Sequence, residues 1–426
     1  MILRSNYYII GSVTKLRVIL TLITILIVGS LATGILLYAK GYRLEEGRLR
    51  LSLEGLMVVK SDPDGAQIFI NGELEGATNS NLSLSSGTYD VSVRKEGFQN
   101  WEKRLTVEKE VVTQIEAVLF PSAPSLSALT FDGVENPVVT SDISKVAFEV
   151  PASPENLNSQ GEPERKSGLW VVELVNLPIG FSSEPRQITD TDLTDASWIF
   201  STDNRQVLLT TKQGVFLLDA GDFTPQNELV NIASRKENLL LDWEEERKLK
   251  LESQLKRLPE KLSDILQRKS SSVVFAPDEK KVLYTASGDE TVPDGLIPPL
   301  PGASTQRQER NIKEGQTYLY DIKEDRNFLV SAEPVKLDIN KYLSDNNGVE
   351  TSKKALHWFP TSSHLVLAES DRVSIMDYDG TNSQTVYSGS YQSPHVFPFS
   401  NRARMLILTN LGAESTPANL YSLTLK

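Results

Sequence analysis

The residues able to do chemistry are few: three histidines, His357, His364 and His395, and no cysteine in 426 residues. Without a thiol there is no sulfur nucleophile and no thiolate metal site. His357 and His395 hold similar places in two copies of a recurring phrase, so they could share an axial site for a metal ion or for proton transfer. Packing inherited with the repeat, or simple exposure, is the favoured reading. Asp190, Asp192 and Asp195 present hard oxygen ligands that suit calcium, yet the stretch lacks the glycine and terminal glutamate of an EF-hand loop and falls where a polar turn is expected. Asp345-Asn346-Asn347-Gly348 is also acidic and reads more simply as a turn. No Walker phosphate loop, dinucleotide glycine fingerprint, GxSxG elbow or HExxH helix occurs. The expectation is a non-enzyme, with no catalytic residue, no metal ligand and no cofactor.

Whatever these residues do, they follow a long apolar segment. From Val18 to Ala39 the chain reads VILTLITILIVGSLATGILLYA without a charge. As a helix it would be roughly 33 Å long, enough to cross a hydrocarbon layer of about 30 Å. Arg4, Lys15 and Arg17 precede it with no acidic residue, whereas Glu45 and Glu46 dilute Lys40, Arg43, Arg48 and Arg50 behind it. This favours residues 1–17 in the cytoplasm, a single pass of the plasma (inner) membrane over 18–39, and everything beyond on the outer side. A cleaved signal peptide is the rival, since Ser30 and Ala32 make a small-x-small site, but the apolar run continues through Ile35, Leu36 and Leu37. With no disulfides to help, packing alone must hold the exported part together. A net charge of −12 and a pI near 5.0 oppose a nucleic-acid role, which needs a concentrated basic surface.

Behind a spacer at 40–55, a small β-sandwich is expected over 56–121. Tyr89, Val91 and Val93 alternate with Thr88, Asp90, Ser92 and Arg94, and Val111, Thr113, Ile115, Ala117 and Leu119 repeat the period of two. Asn71-Gly72 marks a hairpin, and Phe69, Tyr89, Phe98 and Trp101 are the expected core fillers. Pro63-Asp64-Gly65-Ala66, the phrase Ile68-Phe69-Ile70-Asn71-Gly72, then Gly76-Ala77-Thr78, and Gly87-Thr88-Tyr89-Asp90-Val91 with Glu96-Gly97-Phe98 together resemble a PEGA domain. Aspartate stands where the motif has glutamate, a change a surface turn tolerates. The resemblance implies a small all-β module common in bacterial envelope proteins, often suspected of touching wall polymers or partner proteins, and no catalytic residue. For Pro63, Asp64, Gly65 and Ala66 themselves the favoured role is shaping a turn.

From Ser125 to Lys426 one phrase recurs: PVVTSDISKVAFEV from Pro137, ASWIFSTDNRQVLLT from Ala196, SVVFAPDEKKVLYT from Ser272, LHWFPTSSHLVLA from Leu356 and HVFPFSNRARMLILT from His395. A third strand follows each copy, and a fourth is expected at 185–189, 228–232, 327–331 and 384–387. Four short antiparallel strands per repeat predict a β-propeller of five blades, six or seven being the alternative. Phe275-Ala276-Pro277-Asp278, Trp358-Phe359-Pro360 and Phe397-Pro398-Phe399-Ser400 resemble the degenerate TolB-like and WD40-like propellers. The spare strand SLSALTF, before the first repeat, should complete the last blade and close the ring. Long insertions fall at 151–167, 235–271, 287–315, 333–354 and 410–417, all on one rim by strand order. The largest reads as helix over 235–270, with an apolar stripe at Leu251, Leu255, Leu258, Leu262 and Ile265 and a break at Pro259. Packing of that stripe on the propeller is favoured over partner association, and 293–310 reads as a mobile loop.

The expected fold is thus mainly β: one transmembrane helix, a PEGA sandwich and an irregular propeller over 125–426 with its helical insertion. The functional expectation is a membrane-anchored envelope protein that binds a cell-wall polymer, a surface polysaccharide or an envelope protein. A structural or assembly scaffold of a membrane complex is the alternative, and a propeller hydrolase or lyase is disfavoured by the missing motifs.

Overall fold

The computed structural model describes residues 6–39, 42–44, 51–152, 167–175, 184–298, 300, 304–337, 354–400, 402–413 and 415–426. Most of the insertions at 151–167 and 333–354, and the acidic turn at Asp345, lie outside the described residues. The chain divides into two compact units, one of Met1–Val91, Arg104–Ala117 and Pro301–Thr305, the other of Ser92–Lys103, Val118–Leu300 and Gln306–Lys426.

In the first unit α1 runs Asn6–Ala39, starting well before the apolar run does. Arg17–Leu36 is the one stretch among the described residues long and apolar enough to cross a membrane. Its threonines stay compatible with lipid because each hydroxyl donates to a carbonyl one turn back, Thr21 to Arg17, Thr24 to Leu20 and Thr33 to Gly29, at 2.8–2.9 Å. The strands that follow are β1 (Tyr42–Leu44), β2 (Leu51–Asp62), β3 (Gln67–Ile70), β4 (Glu73–Ala77), β5 (Ser80–Ser85), β6 (Gly87–Arg94), β7 (Trp101–Val107) and β8 (Val112–Val118). One sheet has the order β1-β2-β5 with β8 also on β2, the other β4-β3-β6-β7. Their buried residues include Met57, Val59, Ile68, Val91 and Val107. The aromatic core expected from the sequence is therefore corrected to a mainly aliphatic one; of the four aromatic residues only Trp101 is buried, and it belongs to the second unit. Ile68 and Ile70 take the inward phase of β3, which leaves Phe69 half-buried on the other face. Tyr89 is also half-buried, its hydroxyl spent on the Ser85 carbonyl at 2.7 Å.

The second unit is a succession of antiparallel sheets. After β9 (Leu126–Ala128) come β10 (Glu135–Val139), β11 (Lys145–Val150), β12 (Gly168–Glu173) and β13 (Arg186–Thr189) in sheet one; β14 (Ser197–Phe200), β15 (Gln206–Thr211) and β16 (Gly214–Asp219) form sheet two. Then α2 (Lys236–Leu255) and α3 (Glu260–Lys269) precede sheet three, made of β17 (Ser270–Phe275), β18 (Lys281–Ala286), β21 (Thr317–Asp321) and β22 (Arg326–Ser331), with the ribbon β19 (Glu290–Thr291) and β20 (Asn311–Ile312) in its insertion. Sheet four is β23 (Ala355–Trp358), β24 (His364–Ala368), β25 (Arg372–Asp377) and β26 (Gln384–Ser388). Sheet five is β27 (Val396–Pro398), β28 (Arg404–Thr409) and β29 (Asn419–Thr424), and β9 completes it, Leu126 opposite Leu423 and Ala128 opposite Tyr421. The strand ahead of the first repeat closes the last sheet, as its sequence predicts.

Alternation along each strand sends successive side chains to opposite seams. In β15, Val207 and Leu209 pack towards sheet one while Leu208 faces the other way. Apolar cores join sheet three to four, four to five, five to one and one to two. Between sheets two and three the helices intervene. Trp243 of α2 covers Leu208 and Val215 of sheet two, and Leu255, Leu258, Leu262, Ile265 and Leu266 cover Val282, Tyr284, Tyr318 and Tyr320 of sheet three. The apolar stripe thus packs on sheet three, and the start of α2 packs on sheet two. Pro259, lacking an amide hydrogen, stands just before α3 and separates it from α2.

Two further expectations are corrected. The fourth strand at 228–232 is a single bridge, Asn231 to Phe216, behind a short 3-10 turn at Gln226–Glu228. Asn231 turns the chain towards α2 instead, its Oδ1 accepting from the Val215 and Ala233 amides. It lies so near Gly214 that a Cβ there would sit 2.4 Å from Asn231 Nδ2, hence the glycine. The 287–315 insertion, expected to stay on one rim, runs down the outer edge of sheet three, and its 293–310 part is irregular among the described residues, as expected of a loop. Glu309 and Asn327 exchange bonds of 2.6 and 2.7 Å, Arg326 donates to Gln306, and the Leu296 amide reaches Asp325 in the β21–β22 turn at 3.0 Å. An edge strand is covered in this way.

Candidate functional site

The motif residues Pro63, Asp64, Gly65 and Ala66 make the turn between β2 and β3. Gly65 has φ +70°, a left-handed conformation that glycine adopts without strain. Thr78 ties the turn down: its amide donates to the Ala66 carbonyl at 2.8 Å and its hydroxyl accepts from the Ala66 amide at 2.9 Å. Ser61 completes the knot through Thr78 Oγ1 and the Pro63 carbonyl, both at 2.6 Å. These contacts are internal, and they account for the spacing between the Gly65-Ala66 and Ala77-Thr78 phrases.

The structure gives each histidine its own setting. His357 lies in the first strand of sheet four, opposite Val366, with no hydrogen-bond partner at either nitrogen, and burial pushes it down to about 4. His395 precedes β27 with its ring 6.1 Å from that of Phe397, and burial likewise lowers it to about 4. Both are neutral imidazoles near pH 7. The aspartates part company too. Asp190 accepts the Gln226 amide, Asp192 accepts the amide and hydroxyl of Thr194, and Asp195 pairs with Lys212 at 2.6 Å. Among the described residues no group of three histidine or acidic side chains is placed to hold a metal ion.

The third histidine belongs to a buried polar cluster in the second unit. His364 Nε2 lies 3.4 Å from Asp377 Oδ1. Lys103 Nζ is 2.9 Å from Asp377 Oδ2 and 2.7 Å from Asp379 Oδ2. The Trp101 indole and the Asn382 amide also donate to Asp377 Oδ2, at 3.3 and 3.0 Å, while Thr381 donates to Asp379 from its amide and its hydroxyl. Asp379 is fully buried, and Lys103 and Asp377 are each about nine-tenths buried. Burial alone would raise Asp377, but the His364 hydrogen bond and the Lys103 ammonium outweigh it and hold the carboxyl well below the usual carboxylate range. Burial alone would likewise lower Lys103, but Asp377 and Asp379 raise it. Every carboxylate oxygen of Asp377 and Asp379 has a donor within the cluster. Such a site positions a chain segment; it has no free base to offer a substrate. Further contacts fasten the same segment: the Gln99 side chain donates to the Thr385 carbonyl, the Glu102 amide to Asn382 Oδ1, and Gln384 to the Asn100 carbonyl, all at 2.8 Å. Sequence reading missed this cluster, since nothing local marks Lys103 as a partner of residues in sheet four.

Comparison with known proteins places residues 54–123 in the PEGA domain family. No curated protein matches the chain. Among solved structures it is similar to a TolB candidate from Agrobacterium tumefaciens, at 10% identity and a TM-score of 0.22, over 68% of this chain and 78% of that one. It is also similar to TolB from Acinetobacter baumannii, at 12% identity and a TM-score of 0.20, over 79% of this chain and 59% of that one. A third is the β-propeller domain of Cps50 (Swd1) from Myceliophteria thermophila, at 10% identity and a TM-score of 0.26, over 71% of this chain and all of that one.

Proposed function

We propose that this chain, which carries a PEGA domain over residues 54–123 behind one apolar helix, is a non-enzymatic, membrane-anchored protein of the cell envelope. Its β domains face outwards and bind a wall polymer, a surface polysaccharide or an envelope protein. The observation that carries this reading is the order of parts. A segment able to span a membrane is followed directly by a module typical of extracytoplasmic proteins, and then by sheets whose insertions supply surface for binding. The histidines and aspartates considered for chemistry are dispersed or already paired, which supports binding over catalysis. A scaffold role within a membrane complex is favoured by one feature: Leu241 and Leu249 stand exposed two turns apart on α2, at 63% and 56%. Full-length protein in detergent, immobilised and exposed to solubilised envelope and to purified wall fragments, separates these readings. Retention of wall fragments supports the polymer ligand, and a stoichiometric envelope protein supports the protein partner. Retention of neither overturns the binding reading.

A further inference from the structure

Aligned by strand register, the sheets of the second unit share a charge rule. The first residue of each second strand faces the last residue of each third strand. The pairs are Lys145 with Glu173, Gln206 with Asp219, Lys281 with Asp321, His364 with Asp377, and Arg404 with Thr424. Four of the five sheets therefore end the third strand in a carboxylate. By register sheets one and three oppose it with a lysine; burial raises the Asp321 carboxyl and nearby Lys281 offsets part of the rise, while the ion pair of Glu173 is made by Arg186 at 2.6 Å. Sheet two opposes it with a glutamine, but Asp219 is exposed and accepts the Gly221 amide at 2.6 Å. Sheet four is the exception that needs an explanation, because Asp377 is buried and faces a histidine rather than a fixed cation. A second buried carboxylate, Asp379, stands beside it. Two buried carboxylates without a permanent positive charge would be strongly destabilising.

We propose that Lys103 fills the cation position that sheet four has given up, so that segment 92–103, the end of β6, the connection and the start of β7, is a strap locked on the β25–β26 turn by Asp377 and Asp379. The geometry fits a receptor for one ammonium. Lys103 bridges the two carboxylates, and its nitrogen lies 5.7 Å from the Trp101 ring and 6.0 Å from the Tyr378 ring. Tyr378 is shared with Lys281 of sheet three, 4.7 Å from the ring, so the strap closes on the seam where the register rule resumes. The strap covers the turn end of sheet four and removes it from the surface open to any partner.

Hydrogen exchange of the 92–103 amides in the full chain, read by mass spectrometry in detergent at neutral pH, tests this. Lys103→Met should speed exchange across 92–103 at least tenfold relative to the β15–β16 hairpin, and Lys103→Arg should keep most of the protection. Because loss of Lys103 could also weaken sheet four, His364→Lys is the discriminating variant. It returns the cation from within the sheet, so the strap should exchange at least tenfold faster while the melting temperature holds. Unchanged protection of 92–103 in both Lys103→Met and His364→Lys would overturn the proposal, as would faster exchange spread evenly over sheet four and the strap.

Discussion

His357 has no hydrogen-bond partner at either ring nitrogen and, like His395, is pushed down to about 4 by burial. In the unfolded chain both would titrate near 6.5. Their folded values are depressed, so between about pH 6.5 and 4 the unfolded chain binds protons that the folded chain refuses, and stability falls as pH drops. At pH 5 each histidine should withdraw roughly 2 kcal/mol relative to neutral pH. Melts of wild type and His357→Leu at pH 7 and pH 5 check this: the variant's loss between the two should be smaller by about that amount, and an identical loss would mean the site is hydrated. Asp377 has the opposite sense. Its carboxyl is held low, so the stability it contributes is complete above about pH 4, the ordinary unfolded value, and is lost as pH falls further. Asp377→Asn should be less stable than wild type at neutral pH, with the gap closing in acid.

At the scale of elements, the helical insertion gives the sharpest expectation. Leu262 of α3 is fully buried against sheet three. Leu262→Ala should cost about 2–5 kcal/mol by denaturant unfolding, whereas Leu249→Ala on the exposed face of α2 should cost well under 1 kcal/mol. The stripe was legible because spacings of three and four need only a helix of ordinary geometry. That sheet three is what covers it was not, since periodicity names a buried face and not what buries it. The same limit explains the aliphatic core of the first unit. Phe69 and Ile68 are both apolar, and only pairing register decides which one turns inward. The PDGA phrase was legible as a turn, but Thr78, which ties it down, is polar and unremarkable by type. The charge rule was in principle visible, because Lys145, Lys281, His364 and Arg404 open equivalent strands. Lys103 was not, because its partners Asp377 and Asp379 lie more than half the chain away in sequence.

Across the whole molecule, the proposed orientation, with the β domains facing outwards, is open to a direct test. Protease added to intact spheroplasts should remove everything beyond the spacer and spare the first residues, and full protection would reverse the topology. Closure makes a second whole-molecule prediction. A chain that keeps α1 and residues 56–121 but lacks Leu126–Ala128 leaves β29 with a bare edge. Its propeller should melt many degrees lower than wild type; a shift of a degree or two would show that β9 is dispensable.

The pairing of β9 with β29 also sets an order of events during synthesis. Leu126 is made early, yet its partner Leu423 follows nearly 300 residues later. At roughly 5–20 residues per second of synthesis, β9 must wait for many seconds before its sheet exists. Until residues 419–424 have been made, sheet five cannot be finished, and the seams on either side of it stay open to water and to other nascent chains. A chain cut short ahead of β29 therefore keeps those seams unsealed and its apolar strands within reach of proteases.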